Sequence, residues 1–139
     1  RWSGLKTLSA PIVTILHVGF LWLALAQVLM GGSVLWTFIP RSAGIHTLTA
    51  GAIGVMTLAV MTRATRGHTG QALQADRATL AIYGAVNLAA VLRVAAPFLP
   101  AWTAPLLGAS AALWFAAFGG FAVAYFPMLT RPRLLAARS

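Results

Sequence analysis

Four apolar stretches, each about twenty residues long, decide what this chain can fold into. They run from about residue 10 to 30, 45 to 65, 78 to 98 and 104 to 126. A helix of about 20 apolar residues spans the roughly 30 Å hydrocarbon layer of a membrane. The strict apolar–polar alternation of membrane β-barrel strands is absent from these alanine-, leucine- and glycine-rich runs. The sequence therefore predicts an all-α integral membrane protein with four transmembrane helices in one transmembrane domain.

The overall composition agrees with this prediction. Of the 139 residues, 60% are hydrophobic and only 8% are charged, which does not suit a water-soluble domain. The first stretch is too long for a cleaved secretory signal and contains His17 and Gln27, so we interpret it as a true span. The chain starts with Arg1 and not with methionine, which suggests that an N-terminal portion is missing. With no cysteine, disulfides and thiolate ligands are excluded.

The ten basic residues are distributed unevenly around the four stretches. Arg41 and Arg93 lie toward one side of the membrane, and the other eight lie toward the opposite side: Arg1, Lys6, Arg63, Arg66, Arg77, Arg131, Arg133 and Arg138. Because positive charge is retained in the cytoplasm, we expect both termini and the loop 62–77 to be cytoplasmic, and the protein to lie in the cytoplasmic (inner) membrane. The net charge of +9 then reflects topology and not nucleic-acid binding. The basic tail 127–139 suits anionic lipid headgroups.

Glycine and proline mark two short connections, at 31–44 and 99–103, so the stretches are expected to pair as two hairpins. Small residues at helix-packing spacing predict close helix contacts; they are Ala50 with Gly54, Ala81 with Ala85 and Ala89, and Gly108 with Ala112. Some aromatic rings fall near the expected membrane–water interfaces, namely those of Trp2, Trp36, Trp102 and Tyr125. Trp22 and Trp114 fall deeper, where packing against neighbouring helices or lipid is the favoured role.

Ionisable side chains inside a membrane span are costly and are therefore candidates for function. His17, His46 and Arg93 are in this position, whereas Asn87 and Tyr83 are more typical of hydrogen bonds between helices. His46 shares a helical face with residues 49, 50, 53, 54 and 57, which are mostly small and would let a flat macrocycle or a helix approach closely. The two interpretations of His46 are an interfacial histidine and a haem or copper ligand.

Arg93 has no carboxylate of this chain on its side of the membrane, because the only acidic residue, Asp76, falls in the cytoplasmic loop. Its side chain would either extend to lipid phosphate, or bind an anion such as a haem propionate or an acid from another segment. Arg41, His46 and Arg93 all fall toward the outer leaflet, where together they would hold one cofactor.

The three histidines cannot share one metal ion. His46 and His68 are 22 residues apart, on the order of 30 Å along a helix. His17 enters the first span by roughly two turns from the cytoplasmic side, on the order of 10 Å. We therefore expect any metal site in this chain to be completed by groups outside it.

Two segments carry a resemblance to a known family. The run GIHTLTAGAIGVMTLAVMTRATRGHTG, residues 44–70, resembles the C-terminal signature of the NnrS family, and LHVGFLWLALAQ around His17 is similar to the segment before it. NnrS proteins are described as membrane proteins that contain haem and copper and are linked to nitric oxide and nitrosative stress. The resemblance implies that His17, His46 and His68 are candidate haem or copper ligands; Arg63 and Thr69 join the signature without an assigned role.

The resemblance also implies a longer protein, since family members have more helices and more histidines in their N-terminal part. We expect this chain to be either the C-terminal portion of a larger protein or a shortened relative recruited to a larger membrane complex, in contact with lipid and with helices of the missing part or of partner subunits. The leading hypothesis is a haem- and copper-containing protein that binds nitric oxide or protects against it. One alternative is a cofactor-free structural subunit. The other is a transporter or channel fragment, for which broken helices at Gly31–Gly32 or Gly119–Gly120 would be the indication.

Overall fold

The computed structural model describes residues 10–130, which form four long helices. They are α1 (Pro11–Leu35), α2 (Arg41–His68), α3 (Arg77–Ala95) and α4 (Thr103–Thr130). Short 3₁₀ turns at Ala96–Phe98 and Pro100–Trp102 join α3 to α4. Together with these turns, all four helices are long and apolar enough to span a membrane, and the described range contains no strand. The predicted all-α, multi-pass membrane protein is confirmed.

Both hairpin connections differ from their predicted limits. α1 continues through Gly31 and Gly32 to Leu35, so the first connection is residues 36–40 and not 31–44. Glycine is tolerated inside membrane helices, whereas Pro40 lies in extended conformation and sets the start of α2. Gly119 and Gly120 likewise lie inside α4, so neither glycine pair breaks its helix.

The last residues of the signature form the C-cap of α2. Gly70 adopts a left-handed φ of 73°. The amide of Gln71 donates to the carbonyl of Arg66 at 2.9 Å, and that of Gly70 to the carbonyl of Gly67 at 3.3 Å. This is the Schellman arrangement, which glycine permits because it has no Cβ. The helix therefore ends at His68 and not at 65, and Arg63 and Arg66 belong to α2 instead of the predicted loop.

Glycines on α2 bring the helices together. A methyl group on Gly44 would lie 3.0 Å from the backbone nitrogen of Met30, and one on Gly51 would lie 2.6 Å from the Trp22 ring. A methyl group on Gly54 would overlap the ring of Trp114 on α4. The predicted small-residue face at Ala50 and Gly54 is therefore confirmed. The pair at 108 and 112 is exposed, so that packing prediction was wrong.

The helices have two distinguishable ends. We call the end with the connections 36–40 and 96–102 the hairpin end, and the end with the segment 69–76 the loop end. Arg1, Trp2 and Lys6, and Arg131, Arg133 and Arg138 in the tail, lie outside the described residues. The assignment of the loop end to the cytoplasm stays a prediction.

Candidate functional site

A cavity of about 560 Å³ lies between α2, α3 and α4 in the half of the bundle toward the hairpin end. Its volume falls in the range of about 300–1,000 Å³ that is typical of small-molecule sites. Thr49 and Ala50 of α2 and Arg93 of α3 line it. The remaining lining residues come from α4: Ser110, Ala111, Trp114, Phe115, Phe118 and Gly119.

The way α2 packs explains this cavity. Residues Thr47–Ile53 form a π-helical stretch that packs on α1 and α3, whereas the following part, Gly54–His68, packs on α1 and α3 and also on α4. Trp114 covers Gly54 at the boundary between the two parts. The space beside the π-helical stretch is therefore left to the cavity. Such π segments occur frequently at functional sites.

Arg93 and Ser110 are the polar groups on the walls from α3 and α4. Arg93 lies five residues before Phe98, about 8 Å from the end of the apolar span. Asp76, the only acid in the sequence, lies 17 residues earlier on the same helix, about 26 Å away. No side-chain carboxylate of this chain therefore neutralises Arg93. The buried Ser110 hydroxyl donates to the carbonyl of Ala89 at 2.8 Å, which leaves its lone pairs as acceptors.

His46 lies beside this cavity. It is half-buried, directly precedes the π-helical stretch and is one turn before Thr49 and Ala50. The start of α2 packs on α3, the helix that carries Arg93. The structure thus places these two predicted site residues on adjacent helices in the same half of the bundle.

The other predicted site residues lie elsewhere. Arg41 is the exposed first residue of α2, five residues before His46 at the hairpin end. His68 is the exposed last residue of α2 at the loop end, about 33 Å from His46 along the helix. His17 is six residues into α1, toward the loop end, and lines a separate groove of about 350 Å³ with Leu16, Phe20 and Met56.

The donors present decide which metal groups this part of the chain suits. Within residues 10–130, no three histidine or acidic side chains are grouped so that they could hold a metal ion. The described residues therefore do not assemble a copper site from histidine and acidic side chains. Haem needs an axial donor, an apolar cavity and partners for its propionates; the residues here that would supply them are His46, which precedes the cavity lining on α2, the aromatic side chains of α4, and Arg93.

A second polar cluster lies at the loop end, and it was not predicted from the sequence. Arg66 is 7% exposed and forms an ion pair with Asp76 across the segment 69–76. Its Nε donates to the hydroxyl of Tyr125 at 3.2 Å. Thr79 Oγ1 donates to Asp76 Oδ1 at 2.8 Å, so its 2.7 Å contact with Tyr125 has the tyrosine hydroxyl as donor. These four side chains, which we call the loop-end cluster, join α2, α3 and α4.

The loop-end cluster corrects two interpretations of single residues. Tyr125 is 1% exposed and is not an interfacial aromatic residue. Arg66 is a buried residue of α2 that is ion-paired with the half-exposed Asp76, and it is not a loop charge. The available signal was the sequence DRAT at 76–79, in which Asp76 caps a helix by accepting from the amide of Thr79 at 2.8 Å.

The pKa of the Asp76 carboxyl is lowered from its ordinary value. The largest cause is the hydrogen bond from the backbone amide of Thr79, followed by the Thr79 hydroxyl and the guanidinium of Arg66, against an opposing effect of partial burial. Each of these groups favours the ionised carboxylate. The loop-end cluster therefore holds an Asp76 that remains charged near neutral pH.

Two hydrogen bonds between helices were predicted correctly in the middle of the bundle. Thr62 donates to the carbonyl of Ala59, so the hydroxyl of Tyr83 donates to Thr62. The amide of Asn87 accepts from the indole of Trp22 at 2.9 Å. Within the described residues, no buried side-chain nitrogen or oxygen lacks a hydrogen-bond partner.

Comparison with known proteins agrees with the signature in α2. No curated protein and no solved structure matches the chain. A family model described as NnrS protein matches residues 1–133, which include all four helices and extend well beyond the segments that first carried the resemblance. The chain therefore belongs to the NnrS protein family.

Proposed function

We propose that this chain holds a haem in the cavity between α2, α3 and α4 and binds nitric oxide there in the nitrosative-stress response. The observation that carries the proposal is a cavity lined by Arg93 and an aromatic wall, with His46 one helical turn before the lining residues Thr49 and Ala50. The chain belongs to the NnrS family, and it is the resemblance to that family that implies haem, copper and a link to nitric oxide. The predicted orientation would place this site in the outer half of the membrane.

His46 would provide the axial imidazole, and Arg93 would bind a propionate through its planar guanidinium. Trp114, Phe115 and Phe118 provide apolar contact and exclude water, which strengthens the interaction between Arg93 and an anion. Bound haem iron would supply the coordination position for nitric oxide.

Binding or protection is favoured over reduction of nitric oxide. A reductase needs proton delivery to its site, and the only acid of this chain is ion-paired at the loop end, about 26 Å along α3 from Arg93. Copper, if this family member uses it, would need donors beyond residues 10–130. His17 and His68 are its candidate contributions from this chain.

Replacing His46 by alanine should abolish haem binding to the purified full chain. Loss of the axial donor removes the coordinate bond, so we expect haem occupancy, measured by Soret absorption and iron content, to fall at least about tenfold. His68→Ala is the matched control, because His68 is exposed at the other end of the same helix. Addition of nitric oxide to the reduced wild type should shift the Soret band.

Equal occupancy in the wild type and in His46→Ala would refute the assignment of His46. Wild-type protein without Soret absorption or stoichiometric copper would instead favour the cofactor-free structural subunit. Transport of a substrate in liposomes would favour the transporter.

A further inference from the structure

We propose that the cavity is filled from the lipid phase by an amphipathic anion, whose carboxylate or phosphate head binds Arg93 and whose apolar body lies along α4. This inference deepens the proposed function, since it concerns the same site and names the class of ligand and its route. Haem, with its carboxylates and apolar ring, belongs to this class.

The polarity of the cavity is divided. Arg93 and Ser110 supply the polar groups nearer the hairpin end. Ser110 and Gly119 are nine residues apart on α4, about 14 Å, and Trp114, Phe115 and Phe118 lie between them. A ligand with one anionic end and a long apolar body matches this division. A wholly apolar ligand would leave Arg93 without a counter-charge in a low-dielectric site.

Part of the cavity lining lies on the outer surface of the bundle. Phe115 is 80% exposed, and the lining residues Thr49 and Ala111 are also exposed. Because α2 and α4 are apolar spans, this surface lies at the depth of the hydrocarbon layer when the helices cross a membrane. A ligand dissolved in the bilayer reaches the cavity sideways, whereas a small water-soluble anion would have to cross apolar wall.

Arg93 is the feature that selects the anion. It lies about 8 Å from the end of the α3 span, a depth from which its side chain can meet a lipid head. Since the chain has no acid for it, its counter-charge must come from a ligand or another molecule. Guanidinium binds carboxylate and phosphate alike by paired hydrogen bonds.

Trp114 provides a reporter for the test. The full chain, free of haem and in micelles of neutral detergent, is titrated with a dibrominated stearic acid, its methyl ester, and a lysophosphatidic acid with the same brominated chain. Bromine quenches tryptophan fluorescence on contact. We expect saturable quenching by the acid, the phosphate lipid or both, at least about tenfold tighter than by the uncharged ester.

Four variants assign that quenching to the cavity. Arg93→Gln should weaken binding of the brominated acid until its affinity equals that of the methyl ester. Arg93→Lys should retain part of the preference for the acid over the ester. Arg63→Gln, which removes an exposed charge from the other end of α2, should leave the preference for the acid over the ester unchanged. Trp114→Phe should remove the saturable component. Thermal unfolding of Arg93→Gln like that of the wild type shows that the loss concerns the site.

Equal quenching by acid and ester would overturn the proposal, as would an equal loss in Arg63→Gln. Displacement of the brominated acid by inorganic phosphate or acetate would also overturn it, because the site would then take small anions from water. A preference for the carboxylate or for the phosphate probe identifies the head. His46→Ala separates this proposal from the haem assignment, because the variant should lose haem and still bind the brominated acid.

Discussion

Asp76→Asn should destabilise the bundle even though asparagine keeps the helix cap. Asparagine caps helices about as well as aspartate and still accepts from the amide of Thr79. It cannot neutralise Arg66, which is 7% exposed. Breaking a fully buried ion pair costs about 3–5 kcal/mol. Because the Asp76 side chain is 54% exposed and partly screened, we expect a loss of about 1–2 kcal/mol in the free energy of unfolding.

The measurement is unfolding of the wild type and the variant in mixed detergent micelles. Arg77→Gln is the control, because it changes an exposed charge next to Asp76 and should stay within about 0.5 kcal/mol of the wild type. Asp76→Ala, which loses both the cap and the charge, should be less stable than Asp76→Asn. Wild-type stability in Asp76→Asn would show that the ion pair contributes nothing.

The same pair predicts a pH dependence. The pKa of Asp76 is lowered in the folded protein, so its stabilising effect is present above the unfolded-state value, about 3.9, and is lost as the pH falls through the lower folded value. The difference in melting temperature between the wild type and Asp76→Asn should therefore persist from pH 7 to pH 5 and shrink below about pH 4. Since no other side chain of the sequence is acidic, a difference independent of pH would contradict this account.

Gly54→Ala should be the second severe substitution. The added methyl group overlaps the ring of Trp114, which also packs against the tilted ring of Phe118 with a centroid distance of 4.8 Å, so the ring cannot move freely. Overpacking of this kind costs about 1–3 kcal/mol, and here it would also push α4 away from α2 at the base of the cavity. Loss of stability should therefore be accompanied by weaker binding of the brominated acid.

Gly67→Ala is the matched control for this experiment. A methyl group there meets nothing within 4 Å, and alanine is the better helix former, so the variant should be neutral or more stable by up to about 1 kcal/mol. Combining Gly54→Ala with Trp114→Leu should cost less than the sum of the two single changes. Strict additivity would show that the two residues do not meet.

The spans were predictable because apolar runs of about 20 residues leave few alternatives in a membrane, where every backbone polar group must be bonded within its helix. The family was recognisable from GIHTLTAG and GHTG. The structure shows what the glycines of this signature do. Gly44, Gly51 and Gly54 let neighbouring side chains approach the α2 backbone, and Gly70 ends α2.

The loop-end cluster was less predictable, because its members are far apart in the chain. Arg66 and Tyr125 are 59 residues apart, and each alone has an ordinary role as a loop cation or an interfacial ring. Their proximity depends on where α2 ends. One further turn of helix, set by the left-handed Gly70, moves Arg66 from the loop into the bundle.

The sequence by itself determined the number of spans, the family, and the separation of His46 from His68, because hydrophobic length and helical rise are local properties. Only the tertiary structure decided that His46 and Arg93 lie beside one cavity while His17 and His68 lie elsewhere. It also decided that Asp76 is paired with Arg66. These relations depend on how the π-helical stretch and the glycines of α2 set the spacing and rotation of its neighbours, and no local pattern fixes rotation between helices.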